Sequence, residues 1–443
     1  MNARAPLGTI AVVGGGQVAL LAACALARTL PGARVRLLPV AVPPHAMADA
    51  AHGSLPMLAR LHARIGIEEA GLIRRAGASH RLATCHSGGW RADGRDWWIG
   101  HGAVADPVAH GFAGNWSGRA EPAASAPTGP AVALAMAGRF AEAADDPASP
   151  LSDIDHGLRW SPDACRRYLA ALARHLGVAI EPPGDSRPAG VDADLVVDAS
   201  GVAGSDWIDW SDELAVDRVA IDHAAPVLSV VDRVELRDDR IELFSPGRDA
   251  LRRVTMRRGG DGTRLRSGRR RAAWTGRVVA LGDAAALLPP LGQANLALAA
   301  QAIELLVELL PGRDIHPLER DEYNRRAALA ADAMRDFVAA HLVALPAGHP
   351  LRARPSPMLA LRLSEFARRS RLPHVEEDPI PRDLWTQLLG GIGIVAGVPA
   401  HRAADDPHAV AAARAAQDRR NAQAVALAEP YATWMGRMTG ERI

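Results

Sequence analysis

The sequence contains no lysine: all 51 of its basic residues are arginine. That absence excludes a lysine Schiff base, the phosphate-binding lysine of a P-loop and any catalysis by a lysine ammonium. Cysteine is scarce as well. Cys24, Cys85 and Cys165 lie far apart, with no C-x-x-C pairing and no histidine spacing suited to zinc, so neither a disulfide framework nor a metal site is indicated. The chain reads as reduced and cytoplasmic. An excess of one charge is also missing: 51 basic against 50 acidic residues leave a net charge of +1, which gives no reason to expect nucleic acid or an anionic membrane as partner. No apolar run reaches the ~18 uncharged residues of a membrane-spanning helix, so the chain reads as soluble. The apolar stretch after Arg4 is broken by a triple glycine, where a signal helix would run on.

At 443 residues the chain has room for two or three domains of roughly 150 residues each. A β-branched run, Gly8 to Val13, ends at Gly14-Gly15-Gly16; an Ala/Leu-rich helix from Val18 to Leu30 follows, then a strand from Arg34 to Leu38. This is a strand, glycine turn, helix, strand unit of dinucleotide-binding type. A helical period returns from Leu55 to Gly66. Residues 82–106 read as loops and irregular sheet, and 118–150, rich in Pro, Ala and Gly, as a loop with a mobile segment. Ser161, Pro162 and Gly177 punctuate a helix at both ends. Asp194 to Ser200 is a buried strand, and alternating runs between 227 and 271 predict an antiparallel sheet. Val278 to Leu281 is a strand that ends at Gly282-Asp283, Leu296 to Leu310 is an apolar helix, and the tail is helical.

Gly14-x-Gly16-x-x-Ala19 stands where the dinucleotide fingerprint requires it, with Gln17 in the turn. The first glycine makes the turn, the second admits a pyrophosphate to the backbone, and the small third residue lets helix pack on strand. The acid expected at the end of the second strand, where it bonds ribose hydroxyls, is replaced by Leu38-Pro39-Val40, with no acid before Asp49. Adenosine binding is then either weakened or supplied otherwise. Far downstream, Arg277 to Ala300 delivers Gly282-Asp283 from a strand to a turn, and a second helix opens around Gln293 and Asn295. A strand-GD-helix of this kind paired with GxGxxA points to FAD, with the acid on the ribityl chain and the helix N-terminus at the isoalloxazine edge.

Several segments, in order, resemble the flavin-dependent tryptophan halogenases: the GGG turn, ADLVVDASG (Ala193 to Gly201), WSDELAVDRVAI (Trp210 to Ile221), the run from Trp274 to Ala285, Tyr323 to His341, and Leu384 to Asp406. The resemblance implies an α/β, Rossmann-type FAD-binding fold with an inserted antiparallel sheet region and a helical C-terminal region. The expected FAD domain is discontinuous, from residues 1–75, 151–205 and 272–345. Residues 76–150 and 206–271 then form a substrate-side region, and 346–443 the helical part.

In that family reduced FAD and oxygen make hypohalous acid, which travels to a lysine beside the substrate, assisted by a glutamate. Here the resemblance puts the lysine position at or beside Arg81, the glutamate position at Gly292, and the halide-binding Thr-Gly pair at Ala294-Asn295. The W-x-W-x-I-P motif is absent; Trp97-Trp98-Ile99 and Trp207-x-x-Trp210 do not reproduce it. Halogenation is therefore expected to be lost. GDAAALLPPLGQANLALA instead resembles the aromatic hydroxylases of the same superfamily. Two readings follow: a monooxygenase-type enzyme on an aromatic or indole-like small molecule, served by a separate flavin reductase, or an inactive halogenase-like protein that binds a biosynthetic partner. Cofactor-binding candidates are Gly14, Gly16, Gln17, Ala19, Gly282, Asp283, Gln293 and Asn295; catalytic candidates are Arg81 and His80. His86, His101 and His110 cluster nearby and could supply a base, although among sixteen histidines a structural role is the default. His52 and His62 read as helix-flank residues and Arg266 to Arg271 as a solvated hairpin.

Overall fold

The computed structural model describes residues 5–91, 93–103, 129–394, 396–397 and 407–440. Its first sheet has six strands in the order Trp274–Thr275, Val278–Ala280, Leu195–Asp198, Thr9–Val13, Arg34–Leu38, Ala179–Ile180. All neighbours are parallel except the Trp274–Thr275 edge. Val12, Val13, Val196 and Val197 are wholly buried. A parallel sheet covered on both faces needs apolar runs of this kind rather than an alternating pattern.

The helix Gln17–Thr29 packs between Pro162–His175 and Ala294–Glu308. Its alanines, with Ala19, Ala22 and Ala23 fully buried, allow that approach. Ser161 accepts a bond from the Ala164 amide at the expected N-cap, and Gly177, just past the helix, has φ +83°.

A second sheet has seven strands: Thr263–Arg264, Arg218–Ala224, Leu251–Arg257, Arg240–Ser245, Val231–Leu236, Ala83–Ser87 and Trp97–Gly100. Its pairs are antiparallel apart from Val231–Leu236 with Ala83–Ser87. Part of the segment expected as loops and irregular sheet is thus regular strand. Residues 83–87 pair locally with Trp97–Gly100 but also with Val231–Leu236, about 150 positions away, and that second pairing leaves no local sequence pattern. Of the segment 118–150 expected to hold a mobile loop, residues 118–128 lie outside the described residues; Pro130–Met136 is a helix, and Arg139–Phe140 pairs with Glu429–Pro430. The remaining helices include Pro317–Val343, Pro357–Arg369, Arg382–Gly391, Pro407–Leu427 and Tyr431–Thr439. Among the described residues no helix is long and apolar enough to cross a membrane.

Candidate active site: two cavities that meet at Gln293

The glycine turn and the distant Gly282-Asp283 are neighbours in space. A Cβ on Gly282 would stand 3.0 Å from a methyl of Val18, and one on Gly14 would overlap the Ala199 carbonyl. Ala19 sits directly beneath Gly14, where a larger side chain would push helix from strand. One Asp283 oxygen, Oδ2, accepts the Ala48 amide at 2.6 Å; the other is buried with no hydrogen-bond partner among the described residues. Burial, reinforced by the nearby Asp49, raises the Asp283 carboxyl well above the usual range.

Asp49 belongs to the short helical turn Met47–Ala50, which lies over the start of the first helix. Its Oδ1 accepts the Val18 amide at 2.9 Å, and a Cβ on Gly16 would overlap the same carboxylate. The side chain thus fills the anion position that a helix N-terminus creates. Its pKa is raised to about 6, chiefly by burial. Gln17 holds this turn in place: Nε2 donates to the Ala48 and Ala51 carbonyls, each at 2.8 Å, and Oε1 accepts the Trp160 indole N–H at 3.2 Å. The Gln17 side chain is therefore committed to protein partners, which leaves only its backbone for a nucleotide.

Two cavities flank the N-terminus of the Ala294–Glu308 helix. The first is bounded by Met47, His52, Gly53, Pro290, Gln293 and Asn295. The second is bounded by Arg81, His86, His101, Asp232, Gln293 and His341. Gln293 and Leu243 line both. Gln293 takes the left-handed conformation, φ +55°, uncommon for a residue with a side chain. Its Nε2 donates to Asp232 at 2.9 Å while its Oε1 has no partner among the described residues. Gly53 leaves room for it, since a Cβ there would come within 2.5 Å of Gln293 Oε1. Asn295 is held by a 2.7 Å bond to the Leu288 carbonyl.

In the second cavity Asp232 is wholly buried and carries two guanidiniums, Arg159 at 3.0 Å and Arg81 at 3.4 Å. Ser245 Oγ donates to the same carboxylate at 2.9 Å, and Arg81 also donates to the Ser54 carbonyl at 2.8 Å. Two buried cations thus share one buried anion. His86 stacks on Trp97 with ring centroids 3.7 Å apart and planes 8° from parallel, and His341 stands 5.7 Å from it. His86 Nδ1 and both nitrogens of His101 are buried without a hydrogen-bond partner among the described residues. Burial first, then the neighbouring His341 and Arg81 respectively, push His86 and His101 well below the usual histidine range; burial takes His341 to about 4. All three are neutral near pH 7, each with one ring N–H and one lone pair; the His341 Nδ1–H is given to the Phe337 carbonyl at 3.1 Å, which leaves its Nε2 lone pair.

Not every sequence candidate reaches this place. His80 is fully buried but turned away, bonded to Glu69 at 2.7 Å and packed among Phe140, Tyr431 and Trp434. The two-residue alternation of its strand sends Arg81 to the cavity and His80 to the opposite side, so the two catalytic candidates do not share one place. His110 lies outside the described residues. His52 and His62 are buried rather than flanking: His52 lines the first cavity, and His62 packs 6.1 Å from Trp160. Arg266 is exposed, as a solvated hairpin requires, but Arg269 and Arg270 are anchored to Asp332 and Asp198. Sequence reasoning missed Asp49, Asp232 and Arg159. A signal for Asp232 exists in Val231–Leu236, where period two aligns it with buried Val234 and Leu236.

Comparison with known proteins follows the same lines. A 35% identity over 78 residues, 18% of this chain and 15% of that protein, links it to the 7-chloro-L-tryptophan 6-halogenase KtzR of Kutzneria sp. (strain 744). The tryptophan 7-halogenase RebH of Lentzea aerocolonigenes is 31% identical over 83 residues, 16% of its length. Each match thus spans less than a fifth of the curated relative. Among solved structures, BrvH, a flavin-dependent halogenase from Brevundimonas sp. BAL3, superposes with TM-score 0.84 at 22% identity, over 98% of this chain and 99% of that one. Xcc4156, a flavin-dependent halogenase from Xanthomonas campestris, gives 0.82 at 19% identity over 98% of each. At such identities the likeness is one of fold. The family described as tryptophan halogenase matches residues 9–182 and 250–407, about three quarters of the sequence, and the chain belongs to that family.

Proposed function

We propose that the protein is a FAD-dependent oxidoreductase that oxygenates an aromatic or indole-like small molecule and does not halogenate it. The observation that carries this reading is the wall at Gln293: a cavity at the N-terminus of the Ala294–Glu308 helix shares Gln293 and Leu243 with a second cavity that Arg81 lines. The FAD-binding part is assigned to residues 1–75, 151–205 and 272–345, the substrate side to 76–150 and 206–271, and the helical cover to 346–443.

The residues present fit FAD. Asp283 has an unpartnered buried oxygen for a ribityl hydroxyl, Gly14 and Gly16 remove side chains from the turn, and the Ala294–Glu308 helix points its N-terminus at the first cavity. At Gly16 the fit requires the Asp49 carboxylate to withdraw, because two anions do not share one helix terminus. Bound FAD, reduced by a separate NAD(P)H-dependent flavin reductase, supplies the two electrons for dioxygen chemistry. The chain's own residues do the rest. Neutral His86 and His101 offer hydrogen bonds to a phenol or indole N–H, the aromatic walls at His86, Phe337 and His341 hold its ring, and Arg81 with Arg159 leaves a surplus positive charge for an anionic group. Arg81 cannot donate a proton near neutral pH as a lysine can, which removes the relay that halogenation needs.

A second reading has its own observation. With Asp49 seated at Gly16, the protein is complete without a nucleotide phosphate, as an inactive binding or partner protein would be. FAD titration separates the two. A flavin spectral change and a raised melting temperature, followed by oxygen consumption and hydroxylated product with a flavin reductase, support the enzyme. Neither change at saturating FAD, together with stable capture of a neighbouring pathway protein, supports the partner.

A further inference from the structure

We propose that Glu69, His80 and His156 form a site for one divalent transition-metal ion of the zinc type, separate from both cavities. Their donor atoms, one from each side chain, all lie within 4.8 Å of one another. His80 Nε2 stands 2.7 Å from one Glu69 oxygen and His156 Nε2 2.8 Å from the other. Sequence spacing conceals the set, since Glu69 lies 11 residues from His80 and 87 from His156. Strand pairing assembles it. Ser79–Arg81 runs antiparallel to Gly157–Arg159 with His80 opposite Leu158, so His156, two positions before Leu158, falls on the His80 face. Glu69 reaches in from the first turn of the helix Glu69–Arg75.

The surroundings are those of a ligand set. Tyr431 Oη accepts the His80 backbone amide at 2.6 Å and lies 3.2 Å from His80 Nδ1, which fixes the ring and leaves Nε2 as the ligand atom. Phe140 and Trp434, with centroids 4.2 and 4.5 Å from that ring, form an apolar wall behind it. Asp155 and Glu142 stand close enough to His156 to favour positive charge there, while the Arg159 guanidinium on the far side of His80 disfavours it. The Glu69 and His156 side chains remain 38% and 19% exposed, which gives an ion a way in.

Two imidazoles and a carboxylate suit Zn²⁺, with bonds of about 2.0–2.2 Å and one position left for water. Across a tetrahedral ion these donors stand about 3.3 Å apart, so the present hydrogen bonds would lengthen by roughly half an ångström as the ion enters. Nε2 must be free of its proton on both rings: on neutral His80 the single proton shifts from Nε2 to Nδ1, facing Tyr431, and on His156 the Nε2 proton is released to solvent. By the usual affinity order, Co²⁺ binds more weakly and Cu²⁺ more tightly at the same donors.

The experiment uses the untagged full chain, stripped with chelator and dialysed, titrated with zinc chloride and separately with cobalt chloride. Binding of one equivalent of Zn²⁺ with a raised melting temperature, and visible cobalt absorption that saturates at one equivalent, are expected. Glu69→Gln and His156→Gln, both partly exposed positions whose folding is checked by circular dichroism, should each abolish that equivalent. A wild-type chain with no saturable cobalt band, or a folded variant that binds as the wild type does, overturns the proposal. FAD plays no part in either readout, so failure here leaves the flavin reading untouched.

Discussion

Asp49 is the residue on which most depends. Its folded pKa of about 6 exceeds the unfolded value of about 3.9, so the folded state keeps a proton that the unfolded state has lost between those values. Stability therefore falls as pH rises through that window, by about 3 kcal/mol once both states are ionised. Asp49→Asn should melt at a higher temperature than the wild type at pH 8 and lose that advantage by pH 4, as thermal denaturation across pH would record. The same substitution removes a negative charge from the place where a pyrophosphate would sit, so FAD should bind it more tightly. Asp232 has the opposite character. Asp232→Asn strands two buried guanidiniums without a counterion and should destabilise by about 3–5 kcal/mol; adding Arg81→Met should recover part of the loss, which denaturant midpoints can measure.

At the scale of elements, the clearest case is the N-terminus of the helix Pro357–Arg369. Ser356 Oγ accepts the Leu359 amide at 3.0 Å and donates to Asp336 at 2.8 Å, with Ser356 only 3% exposed. Ser356→Ala removes a cap and leaves a buried carboxylate short of a donor, so a loss of about 1–2 kcal/mol is expected, against a few tenths for a change on an exposed face. Urea denaturation of the full chain checks it. The turn Met47–Ala50 behaves differently because four residues cannot hold a helix alone; Gln17, Asp49 and Asp283 keep it in place. An element tied down by side chains from elsewhere can give way as a unit when one tie is replaced, which is what the proposed nucleotide binding at Gly16 would require.

For the whole molecule, the expected behaviour is flavin turnover without halogenation. With a flavin reductase, chloride or bromide and catalase present, no single regioisomer of a halogenated tryptophan, indole or phenol should form; a regioselective haloindole would sink the idea. On the proposed matching of Gly292, Ala294 and Asn295 to the family's glutamate and Thr-Gly pair, Arg81→Lys alone should not create that activity. Protonation of buried histidines should dominate acid unfolding. His52, His62 and His341 are held near 4 by burial, so the unfolded chain takes up their protons first. Stability present above about 6.5 is lost as pH falls toward 4, outweighing the opposite trend from Asp49. Guanidinium midpoints at pH 7.5 and pH 5 should differ accordingly.

What the sequence determined by itself was local or compositional. The strand before Gly14, the capped helix after Ser161 and the strand ending at Gly282-Asp283 follow from periodicity and turn chemistry, which act over a few residues. The absence of lysine needs no structure at all. Only the tertiary structure decided which polar groups are buried together. Asp232 meets Arg81 and Arg159 across 151 and 73 residues, and Ala48 brings its amide to Asp283 across 235. The side to which His80 turns, the anion at Gly16 and the Glu69–His80–His156 cluster were equally hidden. Burial turns an ordinary carboxylate or imidazole into a group with a shifted pKa or an unmet hydrogen bond, and burial is a property of packing between distant segments, which no local pattern encodes.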